Sequence, residues 1–185
     1  AEGARAERGV NVGEPEAMAQ EAIELVAQGL ALKLKVSGKI EKDLPRVAAV
    51  RKAVGDDVFI KIDANEAYDA KNAIRLAKAL ADLGVEVFEQ PVPRDQFDAL
   101  WEVKKHSPIK IEADQSCRNF ADAQMLIKNR MVDSINTGIP KVGSIGEVRR
   151  IAELCAANGI RCALSNTAGS MVGDAAAVHL AASTP

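Results

Sequence analysis

Short β-branched segments recur along this chain at a regular spacing, with a helical pattern between neighbours, and this feature limits the folds it can adopt. The segments begin roughly every 25 residues, a spacing typical of strand–helix–strand units. The predicted strands are Ala31–Val36, Val58–Asp63, Val85–Glu89, Ile109–Ala113, Ser134–Thr137 and Arg161–Ser165. Apolar residues with a helical period predict helices at Pro15–Gln28, Asp43–Val54, Ala70–Leu83, Phe97–Lys105, Asn119–Lys128, Ile145–Ala157 and Met171–Ala182.

A glycine marks several of the points where a helix ends and the next strand begins. The segments QGLALKL, VGDDVFI, LGVEVFE and NGIRCAL all carry one there. Glycine ends a helix easily because it adopts the left-handed backbone conformation at little cost. Strands that alternate with helices in this way form a parallel sheet, so we predict an α/β fold.

The regular length of the units favours a closed barrel over an open sheet. An open dinucleotide-binding sheet would carry a Gly-x-Gly-x-x-Gly segment after its first strand, and none is found there. The segment GVNVG reads as the remnant of a first strand, and nothing after Ser183 supplies an eighth. We therefore predict one domain over residues 1–185, a TIM-like (β/α)7β barrel that is incomplete at both ends.

Composition excludes several classes of partner. The formal net charge is −2 and aromatic residues make up 3% of the chain, which argues against nucleic acid. No apolar run approaches the roughly 20 residues that span a bilayer, and the opening AEGARAERGV lacks the apolar segment of a secretory signal. The three cysteines show no Cys-x-x-Cys spacing and are expected to be buried residues of a cytoplasmic protein.

Carboxylate side chains close three successive predicted strands. Asp63 ends the strand in KIDAN, Glu89 ends the one in FEQP, and Asp114 follows the one in IEADQS. One such carboxylate is usually a turn or helix-cap residue. Three that converge at the same end of a barrel would repel one another without a cation. Because Mg²⁺ prefers oxygen ligands, we predict a Mg²⁺ site, or a Mn²⁺ site, with these three ligands.

Two lysines, Lys33 and Lys35, alternate with leucines in the segment LALKLKVSG. Residues two apart on a strand share a face, so Leu32 and Leu34 should face the helices and the lysines the barrel interior. Lysines are also common on solvated edge strands, but a barrel has no edge. Two neighbouring ammonium groups disfavour each other's charge, which suits one of them to act as a general base near neutral pH.

The motifs KLK, DAN, EQP and ADQS on successive strands resemble the barrel domain of the enolase superfamily. The resemblance is to the muconate-lactonizing-enzyme subgroup of the mandelate racemase/muconate lactonizing enzyme family. It extends from GEPEAMAQEAIELVAQG to AAAVHLAAS. In that family a separate N-terminal capping domain and the last strand largely set specificity, and neither is expected in residues 1–185.

The resemblance implies a reaction and a role for each residue. The family abstracts the proton α to a carboxylate and stabilises the enediolate on Mg²⁺. Asp63, Glu89 and Asp114 correspond to the metal ligands, and Asn65 to a neighbour of those ligands. Lys35 corresponds to the acid/base on one face of the substrate, and Lys33 to the neighbour that tunes it. The substrate implied is a small carboxylate, and we expect a homo-oligomer.

Two positions depart from the subgroup's pattern. Its members usually carry a second catalytic lysine on the sixth strand, five residues before a Gly-Gly pair. Here that strand reads SINTGIPKVGS, and Gly138 stands at the lysine position. Lys141 lies three residues later in a predicted loop, where we do not expect it to replace that lysine. The second departure is Gln115, which stands where the subgroup usually has glutamate.

These observations predict an enolase-superfamily isomerase or lyase. Elimination or dehydration, cycloisomerisation and epimerisation are its possible outcomes, and Gly138 counts against epimerisation with two bases. One alternative is a metal-binding barrel that has lost turnover and has a binding or regulatory role. A weaker alternative is an anion site at the predicted helix start in KVGSIGEV, where free backbone N–H groups could hold a phosphate.

Overall fold

The computed structural model describes residues 6–166 and 170–184 of the chain. Within these residues the strands are β1 Glu7–Val10, β2 Ala31–Lys35, β3 Ile60–Asp63, β4 Val87–Glu89, β5 Lys110–Ala113, β6 Ser134–Thr137 and β7 Arg161–Leu164. The helices are α1 Pro15–Ala27, α2 Ile40–Val54, α3 Ala70–Asp82, α4 Phe97–His106, α5 Phe120–Lys128, α6 Ile139–Val142, α7 Ile145–Ala157 and α8 Met171–Ser183. Strands alternate with helices, which confirms the predicted α/β class.

The chain divides into two compact units, residues 1–111 and 112–185, and the boundary lies within β5. In the first unit β1, β2, β3 and β4 pair in chain order, all parallel. In the second unit β5 pairs with β6 and β6 with β7, also in parallel. None of the helices described is both long and apolar enough to span a membrane.

The two faces of β2 and β3 carry different chemistry. Leu32, Leu34, Ile60 and Ile62 are fully buried and lie on one face of the strands. The residues between them carry charge, and the register places Lys33 opposite Lys61 and Lys35 opposite Asp63. The apolar face builds the core, and the charged face carries the candidate site.

Helix α3 shows how the helices cover the strands. Its buried residues recur at the spacing of one helical face: Ala73, Leu76, Ala77 and Leu80. Asp69 begins the helix because its carboxylate accepts a hydrogen bond from the backbone N–H of Asn72. The local sequence therefore fixes both the start of this helix and the face that it buries.

The structure departs from the sequence prediction at two helices. α2 begins at Ile40 rather than Asp43, because Asp43 reaches back from inside the helix to accept the backbone N–H of Lys39. α6, a short helix over Ile139–Val142, lies where the sequence predicted a loop. Its proline stands in the first turn, where a missing N–H costs nothing, and Gly143 follows in the left-handed conformation with φ of 88°.

The three cysteines are free thiols. Cys117 and Cys155 are buried and Cys162 is half-buried. Burial raises the pKa of the Cys117 thiol to about 12, so it stays protonated at neutral pH. The prediction of buried cysteines is therefore confirmed for Cys117 and Cys155, and Cys162 is more exposed than expected.

Candidate active site

Two carboxylates, Asp63 and Glu89, lie side by side where β3 and β4 end. The strand register pairs them directly. Asp63 is 1% exposed and Glu89 is fully buried. Two buried negative charges at neighbouring positions would be strongly unfavourable without cations close by.

Lys35 and Lys33 supply positive charge to this pair. Lys35 Nζ lies 2.5 Å from Asp63 Oδ2 and 2.6 Å from Asn65 Oδ1. Lys33 Nζ lies 3.5 Å from Asp63 Oδ2 and 3.4 Å from Glu89 Oε2. Lys33 therefore contacts both carboxylates, and Lys35 contacts Asp63.

A third lysine, Lys61, supplies a further positive charge to the buried Glu89. It is 2% exposed, and its Nζ lies 3.2 Å from Glu89 Oε2 and 2.9 Å from Glu7 Oε2. Its position two residues before Asp63 was a signal that it shares the charged face. No local pattern indicated Glu7, because its partner lies two strands away along the chain.

Asn65 reaches Lys35 through an uncommon backbone conformation. Its φ is 44°, and Glu66 follows with φ of 74°. The Asn65 N–H donates to Asp63 Oδ1 at 3.0 Å, while its side-chain oxygen accepts from Lys35. Non-glycine residues with positive φ concentrate at functional sites, where the surrounding structure holds them in place.

The donor chemistry of this group suits a hard divalent cation. Asp63 and Glu89 are adjacent buried carboxylates, and carboxylate oxygens are the ligands that Mg²⁺ prefers. Across residues 6–166 and 170–184, however, no group of three or more His, Cys, Asp or Glu side chains is arranged to hold a metal ion. The three-carboxylate ligand set with Asp114 therefore stays a prediction.

Asp114, in the second unit, has a lysine partner of its own. Lys141 Nζ contacts the Asp114 carboxylate and donates to the backbone oxygens of Asp114 and Asn136 at 3.1 and 2.7 Å. This lysine lies on the short helix α6, which the sequence prediction missed. The bond to the Asn136 oxygen directs the Lys141 side chain back towards the end of β6.

Gly138 lies at a position where a side chain has no room. A Cβ atom built there would lie 2.3 Å from the backbone oxygen of Ser165 and 3.3 Å from its Oγ. The end of β6 holds Ser165 in place, because Ser165 N–H donates to the Thr137 oxygen at 2.7 Å. The φ of Gly138 is −175°, which any residue can adopt, so the restriction is steric.

The chain matches the family described as enolase C-terminal domain-like over residues 17–185. It is 41% identical to the hydrophobic dipeptide epimerase of Enterococcus faecalis over 94% of this chain and 49% of that protein. It is 35% identical to the L-Ala-D/L-Glu epimerase of Bacillus subtilis, again over 94% of this chain and 49% of the relative. The chain thus spans about half the length of these curated relatives.

Solved structures give the same likeness. The dipeptide epimerase of Enterococcus faecalis superposes with a TM-score of 0.94 over 97% of this chain and 53% of its own, at 40% identity. Its complex with Mg and the dipeptide L-Leu-L-Tyr superposes with a TM-score of 0.92 over 95% of this chain and 50% of its own, at 39% identity. This agreement confirms the predicted TIM-like fold class. The chain therefore belongs to the enolase C-terminal domain-like family, as its strand-end motifs indicated.

Proposed function

We propose that this chain carries the catalytic half of an enzyme that removes the proton α to a carboxylate, with Mg²⁺ as cofactor. The main supporting observation is the position of Lys35, whose Nζ lies within hydrogen-bonding distance of Asp63 and Asn65 beside the buried Glu89. A lysine next to buried carboxylates at strand ends is suited to proton transfer at a metal-bound acid.

Asp63, Glu89 and Asp114 are the proposed ligands. The pairing of Asp63 with Glu89 supports the first two, and the position of Asp114 after β5 supports the third. A bound Mg²⁺ would offset the negative charge that develops on the substrate carboxylate. The solved relative with Mg and a dipeptide makes Mg²⁺ the first cation to test.

Lys35 is the proposed acid/base, and its neighbours have supporting roles. Asn65 accepts a hydrogen bond from Lys35 and fixes the direction of its Nζ. Lys33 adds a second positive charge near Asp63 and Glu89. This charge favours the binding of an anionic substrate.

Gly138 favours reactions that need one base. Two-base epimerisation requires groups on opposite faces of the α-carbon, and Gly138 offers no side chain for the second. The contact with Ser165 also leaves no space for one. We therefore favour elimination, dehydration or cycloisomerisation over epimerisation, although several curated relatives are epimerases by name.

The substrate class proposed is a small carboxylic acid with an α-hydrogen. Relatives are named for dipeptides, for N-succinyl-L-Arg/Lys and for chloromuconate. Dipeptides and N-acyl amino acids, which carry such a hydrogen, are therefore the acids to test first. A metal-binding barrel without turnover is the second candidate, and the same glycine at position 138 favours it.

The test is exchange of the substrate α-proton in D₂O with Mg²⁺, followed by NMR. Unaltered protein should exchange the proton of at least one acid. Lys35→Ala should lower the rate by about 10²–10⁴, the usual cost of losing a positioned general base. Lys42→Ala, which removes an exposed lysine of α2, should have no effect. Mg²⁺ binding without exchange of any acid would favour the second candidate.

A further inference from the structure

Asp43 is a buried carboxylate that the proposed reaction does not use. It is fully buried although it lies in the first turns of α2, next to solvent-exposed residues. A buried carboxylate is costly unless hydrogen bonds or opposite charges compensate it. Donors from two different strand–helix loops, together with Arg46 on α2, compensate the Asp43 carboxylate.

The first set of donors lies in the loop between β2 and α2, directly after Lys35. Ser37 donates to Asp43 from its backbone N–H at 2.9 Å and from its Oγ at 2.8 Å. The Lys39 N–H donates at 3.0 Å. These bonds fix the chain direction within two to four residues of Lys35.

The second donor comes from the loop between β3 and α3. Tyr68 Oη donates to Asp43 Oδ2 at 2.5 Å, and Tyr68 is 3% exposed. Its backbone N–H donates to the Pro91 oxygen at 3.0 Å, so the loop after β4 is tied in as well. Tyr68 lies three residues after Asn65, the residue that accepts from Lys35.

Helix capping alone does not account for this arrangement. A contact of the capping-box type at the start of α2 needs only the backbone N–H of Lys39. The bond from Tyr68 adds nothing to that cap, yet it is among the shortest that Asp43 accepts. The two loops also touch at Gly38, where a Cβ would lie 2.9 Å from the Ala67 oxygen and φ is +84°.

A third loop joins through Arg46. Its Nη1 lies 3.1 Å from Asp43 Oδ1, and its Nε donates to the Gly13 oxygen, between β1 and α1, at 2.8 Å. The carboxylate thus connects three successive loops at the ends of β1, β2 and β3. Two of these loops adjoin Lys35 and Asn65, whose side chains contact each other at 2.6 Å.

We infer that Asp43 is a positioning residue, which holds Lys35 and Asn65 in contact by tying together the loops that follow them. This inference rests on the proposed function for its catalytic meaning. Its structural content, the placement of the Lys35 ammonium group, can be measured without turnover.

The test compares Asp43→Asn and Tyr68→Phe with the unaltered full-length protein. Asp43→Asn removes the charge and keeps the shape, and Tyr68→Phe removes only the hydroxyl group. Asp69→Asn is the matched control, because Asp69 caps α3 locally and the contacts of its carboxylate stay within that helix start. Protein with ¹⁵N-labelled lysine reports the ammonium groups, and Lys35→Arg assigns the Lys35 signal.

We expect a slowly exchanging Lys35 ammonium signal in the unaltered protein and in Asp69→Asn. It should be shifted or lost in Asp43→Asn and Tyr68→Phe, while both still unfold cooperatively. If Asp43→Asn does not fold, Tyr68→Phe decides alone. An unchanged Lys35 signal in Tyr68→Phe, or no such signal in the unaltered protein, would overturn the inference.

Turnover separates this inference from the proposed function. With an acid that exchanges its α-proton, both variants should lower kcat by about 10- to 100-fold, with KM changed less than about twofold. Exchange with unchanged kcat in both variants would overturn the positioning role and leave the reaction in place. A shifted Lys35 signal in a protein that exchanges no acid would overturn the reaction and support the positioning role.

Discussion

At the scale of single residues, the charges on one face of β2, β3 and β4 determine what the first unit can do. Lys61 bridges Glu7 and Glu89 almost without exposure to solvent, and Lys33 and Lys35 lie above it on the same face. Asp63 and Glu89 each have a lysine ammonium group nearby, so this cluster of buried charges is compensated without a bound ion. The same oxygens remain chemically suited to Mg²⁺.

Gly138 gives a prediction at this scale. Gly138→Ala should reduce the free energy of unfolding by about 1–3 kcal/mol, because the new methyl group would meet the Ser165 backbone oxygen. Gly9→Ala is the control, since a Cβ there would lie 4.0 Å from the Lys33 oxygen, an ordinary van der Waals distance. Urea denaturation of both variants measures the difference. Equal stability of the two would show that β6 and β7 have more room than the structure indicates.

Strand-end residues were predictable from sequence, and their distant partners were not. Asp63, Glu89, Lys33 and Lys35 follow from alternation along a strand and from the common end of parallel strands. Glu7 and Tyr68 reach their partners across loops of the chain, and no local spacing encodes such contacts. Local patterns therefore gave the line of proposed catalytic residues but not the network that supports it.

At the scale of elements, the guanidinium group of Arg51 connects the loops that precede β3 and β4, at the ends of these strands opposite Asp63 and Glu89. Arg51 on α2 is 7% exposed. Its donors bond to the oxygens of Gly55 and Val58 before β3, at 2.7 and 2.8 Å, and of Leu83 and Gly84 before β4, at 2.9 and 3.0 Å. One side chain thus satisfies the carbonyls of two neighbouring loops.

Arg51→Met should therefore destabilise the fold while keeping a stem of similar length. We expect a loss of roughly 2–5 kcal/mol in the free energy of unfolding, because four backbone carbonyls would lose their hydrogen bonds from a charged donor. Arg149→Met is the matched control, since Arg149 forms an exposed pair with Glu153 on α7 and should matter by less than about 1 kcal/mol. Denaturant unfolding compares them, and similar losses in both would refute this role for Arg51.

Asp43 gives a prediction on pH at the same scale. Burial alone would raise its pKa, but hydrogen bonds from Tyr68, Ser37 and Lys39 outweigh burial and hold the pKa below the ordinary value of 3.8. A lowered pKa stabilises the fold above pH 3.8, and this contribution is lost as the pH falls through the folded-state pKa.

The stability difference between unaltered protein and Asp43→Asn should accordingly be largest near neutral pH and shrink below pH 3.8. Urea titrations from pH 7 downwards measure it. Asp98→Asn, in the first turn of α4, serves as a control carboxylate. A difference that grows as the pH falls would mean that the folded protein holds Asp43 protonated.

The helices α2 and α6 show why element boundaries are harder to predict than elements. The start of α2 depends on Asp43, which accepts the backbone N–H of Lys39 from inside the helix, and the apolar period does not reveal this contact. α6 is a single turn, too short for any apolar period. By contrast, the buried stripe of α3 spans enough residues to be read directly.

At the scale of the whole molecule, the order of strands and helices carries the argument from sequence to function. The recurring strand and helix patterns gave the order of the strand–helix repeats because each repeat is encoded locally, and a glycine marks four of the junctions between a helix and the next strand. Asp63, Glu89 and Asp114 recur at the same point of successive units, and this repetition suggested a shared ligand set. The pairing of Asp63 with Glu89, both within residues 1–111, agrees with that interpretation for two of the three proposed ligands.

The ligand set makes a calorimetric prediction. Asp63→Asn, Glu89→Gln and Asp114→Asn should each lower Mg²⁺ affinity at least about tenfold, since each removes a carboxylate ligand. Asp69→Asn, an exposed helix cap, should bind as the unaltered protein does. Undiminished affinity in Asp114→Asn would remove Asp114 from the ligand set and leave the pair on β3 and β4.

The stereochemical course of proton exchange tests the central claim most directly. A single enantiomer of an acid that exchanges, such as one from a panel of L,L-dipeptides, is incubated with the protein and Mg²⁺ in D₂O. NMR follows deuterium at the α-carbon, and chiral chromatography follows configuration. One base at Lys35 predicts deuterium with retained configuration, or an elimination product. The opposite epimer, formed as fast as deuterium enters, would contradict the claim that Gly138 leaves a single base.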